Sequence, residues 1–554
     1  MPSELDRRFD QKLAEVNGPG GPVQIARDEK GQAIVANFPA TIPGLLAAFT
    51  QVNAEHEAVV AGEERLRFPD IAEWSGRLAR ALVARGIRKG DRVGIAMRNC
   101  PAWIISYFAI LQAGGVATLL NGWWEQHELD HAIGLTEPVL IICDNARGKR
   151  IGGCSTKSET VVLNVDRPLG EALAPLLDVE GADGAELPEI VPEDDATILF
   201  TSGSTGDSKG AVSTHLAVTT AAYTYANSLM GLLGLLIEED RPPAGKPRVL
   251  LAVPLFHVTG EVPVMLTSFV IGRCMVLMPK WDSTEALKLI EKENITYFVG
   301  VPTMSLELMN DPRRGEFDTS SLTDIAAGGA PRPVHHVPQL KQAFGSAQPG
   351  LGYGLTETNA VGAQNFWTNY AEKPASTGRP HAPFVEMAIL GEGDRHLPPG
   401  EVGEIAIRTA ANIRGYWKAP EATAALFTAD HYVRTGDIGY LDEDDYLFIV
   451  DRKKDIIIRG GENIASAEVE AACYACPEVT EVSVFGAPDE RLGEVPVAVI
   501  YSQTGLGEGD IRSFLDGKIA KYKVPERFIF ADAPLPRLGT GKIDRRGLKD
   551  KYAR

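Results

Sequence analysis

Hydrophobic and polar positions follow two rhythms along the chain. Short β-branched runs alternate with longer stretches of helical spacing, and Gly, Pro, Asn and Asp punctuate both. Arg92 to Ala96 predicts a strand, Pro101 to Gln112 a helix, and Val139 to Cys143 another strand. Arg248 to Ala252, Tyr297 to Gly300 and Asp324 to Ala327 also read as strands, with helical segments between them. Alternation of this kind builds parallel sheets covered by helices. From about Phe384 the pattern turns to hairpin-like strands separated by Gly-Asp, Pro-Gly and Asp-Glu-Asp-Asp turns, so a smaller β unit is expected. Beyond Asp451 the chain reads as a compact α+β domain of its own. Residues 1 to about 45 show little periodicity and read as an N-terminal cap, while Gly181 to Asp195 is an acidic, turn-rich connector. No internal repeat or low-complexity tract is present.

Composition narrows the class. A chain of 554 residues is too long for one ordinary core and should hold two or more domains. Hydrophobic content of 44% and charged content of 23% are those of a globular protein. A net charge of −19 argues against a nucleic-acid surface. The six cysteines, scattered from Cys100 to Cys476, form no secreted disulfide framework. Met1 to Asp10 is charged and lacks the apolar stretch of a signal peptide, and the closing Lys-Tyr-Ala-Arg carries no retention address. Asn99 to Trp124 is uncharged, but Pro101, Gln112, Gly114-Gly115 and Asn121 divide it into a helix, a turn and a strand. No transmembrane segment is expected, and cytoplasmic residence is the default.

One stretch changes the picture. Thr201-Ser202-Gly203-Ser204-Thr205-Gly206-Asp207-Ser208-Lys209-Gly210 follows the apolar run Ala196 to Phe200 and precedes a helical pattern from Thr214. Glycine and hydroxyl side chains make a poor core and a good anion cradle, because positive φ at Gly203 and Gly206 turns successive N–H groups to one point. Lys209 adds a cation for polyphosphate. Taken by composition alone the stretch is a flexible surface loop. It does not meet the P-loop pattern, since Ser208 precedes Lys209 and Gly210 follows it.

The stretch resembles the phosphate loop of the adenylate-forming (AMP-binding) enzymes, T-S-G-[ST]-T-G-x-P-K-G, with Ser208 where proline is usual. Further segments match that superfamily in order. They are Pro254-Leu255-Phe256-His257, Ala327-Gly328-Gly329-Ala330-Pro331, Gly352-Tyr353-Gly354-Leu355-Thr356-Glu357, Arg434-Thr435-Gly436-Asp437, Asp451-Arg452-Lys453-Lys454-Asp455, Arg459-Gly460-Gly461-Glu462-Asn463-Ile464 and Pro536 to Arg545. The resemblance is to the acyl-CoA synthetase branch. It implies an α/β fold: a large N-terminal domain, residues 1–451, of two helix-flanked sheets plus a small distorted β-barrel. A small mobile α+β C-terminal domain, residues 452–554, would turn on a hinge near Lys454.

The same resemblance implies roles. ATP would be held by Thr201, Ser202, Gly203, Ser204, Thr205, Gly206 and Lys209, by the adenine ledge Gly329-Ala330-Pro331, and by Tyr353, Gly354, Thr356, Asp437, Arg452 and Lys542. Tyr353 offers a ring for stacking and Thr356 a hydroxyl for the α-phosphate. Glu357 is a hard oxygen ligand suited to Mg²⁺. Lys542, Lys209, Thr356 and Glu357 would be catalytic. His257, Gly328 and Gly352 would line the acyl pocket, and Arg459, Gly460, Gly461 and Glu462 the CoA tunnel. Each has a plainer reading on residue type alone: a packed histidine after a strand, tight strand-to-helix turns, a turn aspartate, a solvated charge run, a surface lysine. The family's Lys-Thr before the last segment is Arg537-Leu538 here. Cys473-Tyr474-Ala475-Cys476 closes a helix rather than opening one and has no second pair, so it reads as structural.

Relatives that activate amino acids place an aspartate at His257 to pair with the ammonium. The absence of an acid at Phe256-His257 predicts a non-amino carboxylic acid, whether fatty, aromatic or otherwise apolar, because an unpaired buried amine costs several kcal/mol. The expected reaction converts acid, ATP and CoA to acyl-CoA, AMP and pyrophosphate, with Mg²⁺. A homodimer is compatible with the chain. Two alternatives stand beside this reading: a ligase that loads a carrier protein, and a non-catalytic binding or regulatory protein on the same fold.

Overall fold

The computed structural model describes residues 2–201, 208–243, 245–330, 332–460, 462–538 and 542–553. Ser202, Gly203, Ser204, Thr205 and Gly206 of the phosphate loop lie outside the described residues, as do Pro331 and Gly461.

Two large sheets form the body. Arg92–Ala96, Val116–Leu119, Leu140–Asp144 and Glu159–Leu163 run parallel, joined by Asp195–Thr201, in a seven-stranded sheet. Its edge is antiparallel: Lys209–Thr214 returns beside Asp195–Thr201, and Gly415–Tyr416 pairs outside it. The second sheet has nine strands, with Arg248–Leu251, Tyr297–Gly300, Asp324–Gly328 and Gln348–Gly354 parallel at its centre. The fully buried strands Val116–Leu119 and Leu140–Asp144 are apolar apart from Thr118 and Asp144. Helix Pro101–Gln112 is buried from Pro101 to Leu111, and one core joins Val93, Ile95 and Leu119 of one sheet to Val249, Leu251 and Met275 of the other.

The section expected as a small distorted barrel is built on a four-stranded antiparallel sheet, Glu386–Leu390, Gly403–Arg408, Val433–Leu441 and Leu447–Arg452. A bridge from Gly378 to Leu447 ties it to the large sheet. Beyond it, Gly493–Tyr501 centres a five-stranded sheet with helices Ser466–Tyr474, Glu508–Leu515 and Arg545–Tyr552 and cores of its own. Cys473 and Cys476 are both buried and free, in keeping with a structural role.

The first 45 residues are not an irregular cap. Glu4–Asn17 is a helix, and a second helix starts at Ile42. The Ser3 hydroxyl accepts from Asp6 N–H (2.9 Å) while the Asp6 carboxylate accepts from Ser3 N–H (3.0 Å), a reciprocal cap. The periodicity is hidden because Asp6 is one of the buried positions, beside Phe9 and Leu13. Its carboxylate is satisfied by Asn369 Nδ2 at 2.9 Å and the Tyr446 hydroxyl at 3.0 Å. The helix packs on His215–Glu238, which is capped by Thr214 and begins where the sequence placed it. That 24-residue helix is long and apolar enough to cross a membrane, by length and composition only; here most of its first half is buried against its neighbours.

Phe9 closes this contact, with its ring 4.9 Å from that of Phe366. Phe9→Ala should destabilise the protein by about 3 kcal/mol in chemical denaturation, the usual cost of emptying a buried aromatic site. Val52→Ala, at a position 74% exposed, should leave stability within about 0.5 kcal/mol.

Candidate active site

Ligands of open α/β sheets gather at the carboxyl ends of parallel strands. Gly300, Gly328 and Gly354 end three such strands here. A narrow cavity opens beside the first two, lined by His257, Thr259, Gly300, Gly328, Gly329 and Lys542. Lys542 comes from the far end of the chain, from the small unit built on the five-stranded sheet, and reaches this cavity beside the nine-stranded sheet. Gly329 has φ of 76°, and a Cβ there would stand 3.3 Å from Lys542 Cε and 3.6 Å from Nζ. The positive φ favours glycine here, and the end of the lysine side chain packs against it. Lys542 is anchored behind by its own carbonyl, which accepts from Leu538 N–H at 2.8 Å.

Burial, reinforced by the Arg452 guanidinium and opposed by Asp437, pushes the Lys542 ammonium down to about 8. No carboxylate lies within ion-pair distance of it among the described residues. Burial and the Lys542 charge together push His257 down to about 3, so its imidazole is neutral. Its Nδ1 accepts from Thr259 N–H at 3.3 Å, which leaves the proton on Nε2.

The sequence reading found no acid at Phe256-His257. The structure adds one four residues on: Glu261 is wholly buried and accepts from the Tyr107 hydroxyl at 2.7 Å. Burial raises its carboxyl to about 8, and Glu261 is not among the residues that line the cavity at Lys542. Only its long-range contact with Tyr107 gives it meaning, and sequence spacing carries no trace of that.

A second cluster sits at Asp437. The Tyr353 hydroxyl donates to Asp437 Oδ2 at 2.7 Å, and Arg452 Nε lies 3.1 Å from Oδ1. Asp437 and Arg452 face each other across paired strands, and Tyr353 arrives from the large sheet. The two neighbouring glycines of the Tyr353 segment differ. A Cβ on Gly354 would collide with the Ala360 carbonyl at 2.0 Å, whereas one on Gly352 would meet nothing within 4 Å. Gly354 is therefore a packing requirement, and Gly352 borders open space.

A third cluster surrounds Glu357, which follows Thr356 in a short 3-10 turn, Thr356–Thr358. Its Oε1 accepts from the Tyr416 hydroxyl at 2.7 Å, and its backbone carbonyl from Ile413 N–H at 3.0 Å. Lys209, opposite Thr201 where the strands flanking the loop pair, holds its ammonium 5.0 Å from the centre of the Tyr416 ring. Burial, then the Glu357 charge, holds the Tyr416 phenol well above its usual range, so it remains a donor. Tyr416 was missed by sequence reasoning; Gly415-Tyr416-Trp417 matches none of the quoted motifs. Among the described residues no three His, Cys, Asp or Glu side chains gather as a metal cage. Glu357 alone suits Mg²⁺, which typically takes one or two carboxylates and completes its shell with phosphate oxygens and water.

The loop at Arg459 is elsewhere. Arg459 donates to the Tyr522 carbonyl at 2.6 Å and pairs with Glu526 at 2.8 Å, inside the small unit. Neither it, Gly460 nor Glu462 lines the cavity at Lys542. Lys454 lies exposed between Leu447–Arg452, of the four-stranded sheet, and Ile457–Arg459, of the five-stranded sheet. The structure thus brings Lys542, His257, Gly328 and Gly329 together and leaves the Arg459 loop apart.

Residues 46–417 match the family model of the AMP-binding enzymes, and residues 468–542 that of the AMP-binding enzyme C-terminal domain. The chain belongs to the AMP-binding enzyme family. It is 34% identical over 524 residues to the long-chain-fatty-acid–CoA ligase of Bacillus subtilis (strain 168), covering 88% of this chain and 90% of that one. It is 35% identical over 489 residues to the feruloyl-CoA synthase of an Amycolatopsis species, covering 88% and 94%. The ATP-bound structure of MatB from Rhodopseudomonas palustris superposes with a TM-score of 0.80 at 29% identity, over 92% of this chain and 99% of that one.

The state of Lys542 is open to measurement. Its pKa is lowered from 10.5 to about 8 because burial disfavours the charged form. A polyphosphate placed beside it restores the charged form, so the pKa rises on binding and a proton is taken up. At about pH 9, calorimetry of ATP binding in buffers of different ionisation enthalpy should show proton uptake in the wild type and much less in Lys542→Ala. Equal uptake by both proteins contradicts this placement of the charge.

Proposed function

We propose that this enzyme is an ATP-dependent acyl-CoA synthetase for a carboxylic acid without an α-amino group, fatty, aromatic or otherwise apolar. The observation that carries the reading is the Lys542 ammonium at a cavity walled by Gly328, Gly329 and neutral His257. In the first half-reaction a carboxylate oxygen attacks the α-phosphorus of ATP, and pyrophosphate leaves. Lys542 steadies the carboxylate and the α-phosphate, Thr356 donates to a phosphate oxygen, and Lys209 neutralises the leaving polyphosphate. Asp437 and Arg452 receive the ribose, with Tyr353 against the adenine and Gly329, Ala330 and Pro331 as its ledge. Ser202 to Gly206 cradle the phosphates. Mg²⁺ held by Glu357 would supply charge neutralisation across the phosphate oxygens.

In the second half-reaction the CoA thiol attacks the acyl carbonyl, its proton is released, and AMP leaves. The residues read for this step, Arg459, Gly460, Gly461 and Glu462, belong to the same small unit as Lys542. We place the division between units at residue 451, with 452–554 turning about Lys454, so that one set of groups replaces the other over the same carbonyl. Loading of a carrier protein in place of CoA differs only in the thiol offered.

A panel of acids assayed for pyrophosphate release, with and without CoA, tests this reading. Cinnamate, a fatty acid or propionate should outpace phenylalanine or alanine at least tenfold, since the cavity lining carries the Lys542 ammonium and no carboxylate to partner a second one. Comparable rates for the amino acids would overturn the pocket assignment, and thioester formed only on a carrier protein would favour that acceptor.

The hinge has its own test. Proline fixes φ near −65° and narrows the range Lys454 can visit. Lys454→Pro should release pyrophosphate and accumulate acyl-AMP while forming acyl-CoA at least about tenfold more slowly. Thioester formation at the wild-type rate places the pivot at another residue.

A further inference from the structure

We propose that Tyr416 is a positioning residue that couples the two charged groups of the nucleotide site, its hydroxyl aiming the Glu357 carboxylate and its ring seating the Lys209 ammonium. The inference rests on the reading of Glu357 as the metal-side carboxylate and Lys209 as the phosphate-side cation. These two residues are 148 positions apart and lie on different elements, a strand of the seven-stranded sheet and a turn joining two strands of the nine-stranded one. Tyr416 touches both.

Its backbone is fixed on three sides. Tyr416 pairs with Ala211 across the sheet edge, Trp417 N–H donates to the Gly210 carbonyl at 2.7 Å, and Tyr416 N–H donates to Thr423 Oγ1 at 2.9 Å. The phenol consequently projects from a rigid edge rather than a loop. The same segment grips Glu357 twice, by Ile413 N–H on its carbonyl and by the Tyr416 hydroxyl on Oε1. The carboxylate is thereby held in one orientation, with Oε2 and the remaining Oε1 lone pair available to a cation. A hydrogen bond behind a ligating carboxylate fixes its orientation, and removing such a partner weakens metal affinity roughly tenfold to a hundredfold. The ring face, meanwhile, attracts the Lys209 ammonium and opposes its retreat into solvent.

Hydroxyl and ring are separable. Affinity for α,β-methylene-ATP, which does not react, is measured by calorimetry with Mg²⁺ and again in EDTA, using full-length protein. In Tyr416→Phe the gain in affinity conferred by Mg²⁺ should shrink roughly tenfold, while metal-free affinity stays within about twofold. In Tyr416→Leu the same gain should shrink, and metal-free affinity should also fall about threefold to tenfold, because Lys209 has lost its ring. Glu357→Gln calibrates the metal term. If Glu357→Gln loses the Mg²⁺ gain and Tyr416→Phe keeps it, the hydroxyl does not position the carboxylate and the proposal fails. If Glu357→Gln keeps the gain, the metal-side reading of Glu357 fails, and the proposal with it. Metal-free affinities that match in Tyr416→Leu and Tyr416→Phe overturn the role of the ring.

Discussion

The structure turns on one partly buried cation. Lys542 is brought from the small unit to the cavity beside Gly329, where burial and Arg452 disfavour its charge and Asp437 only partly offsets them. A lysine held this way is costly to keep charged without an anion, and it gains most from one that arrives. Much of the surrounding arrangement serves that contact. Gly329, at positive φ, lies against the end of the lysine, and His257 stays neutral beside it.

The rest of the site is a set of charged groups held from behind. Tyr353 and Arg452 occupy the two oxygens of Asp437, and Tyr416 occupies one oxygen of Glu357. In each case the partner comes from a different sheet or strand, so the geometry depends on how the two large sheets and the four-stranded sheet pack together. Preorganisation of this kind spares the reorganisation that a flexible site undergoes as charge moves in the transition state. The small unit carries both Lys542, which lines the cavity, and Arg459, which does not and is held instead by Tyr522 and Glu526.

What the sequence disclosed follows from what is local. Arg92–Ala96 and Pro101–Gln112 were legible to the residue, because a buried strand is uniformly apolar and Pro101 marks a first helical turn. The strand ending at Gly300 and the helix beginning after Thr214 were equally plain. The helix Glu4–Asn17 was not, since its buried face includes Asp6, whose partners Asn369 and Tyr446 are far along the chain. Glu261 and Tyr416 escaped for the same reason: each acts through a contact of long sequence separation, and neither stands in a quoted motif. Lys542 and Lys209 were found because their motifs are local, though their burial and neighbours were not to be read there.

The central claim is that Lys542 serves the first chemical step and not the second. Single-turnover chemistry with a labelled acid, and separately with preformed acyl-adenylate and CoA, separates the two steps in Lys542→Ala. Loss of a charge-assisted contact made in the transition state should slow acyl-AMP formation roughly a hundredfold or more. Thioester formation from supplied acyl-adenylate should stay within about threefold of the wild type. Equal damage to both half-reactions would contradict the account.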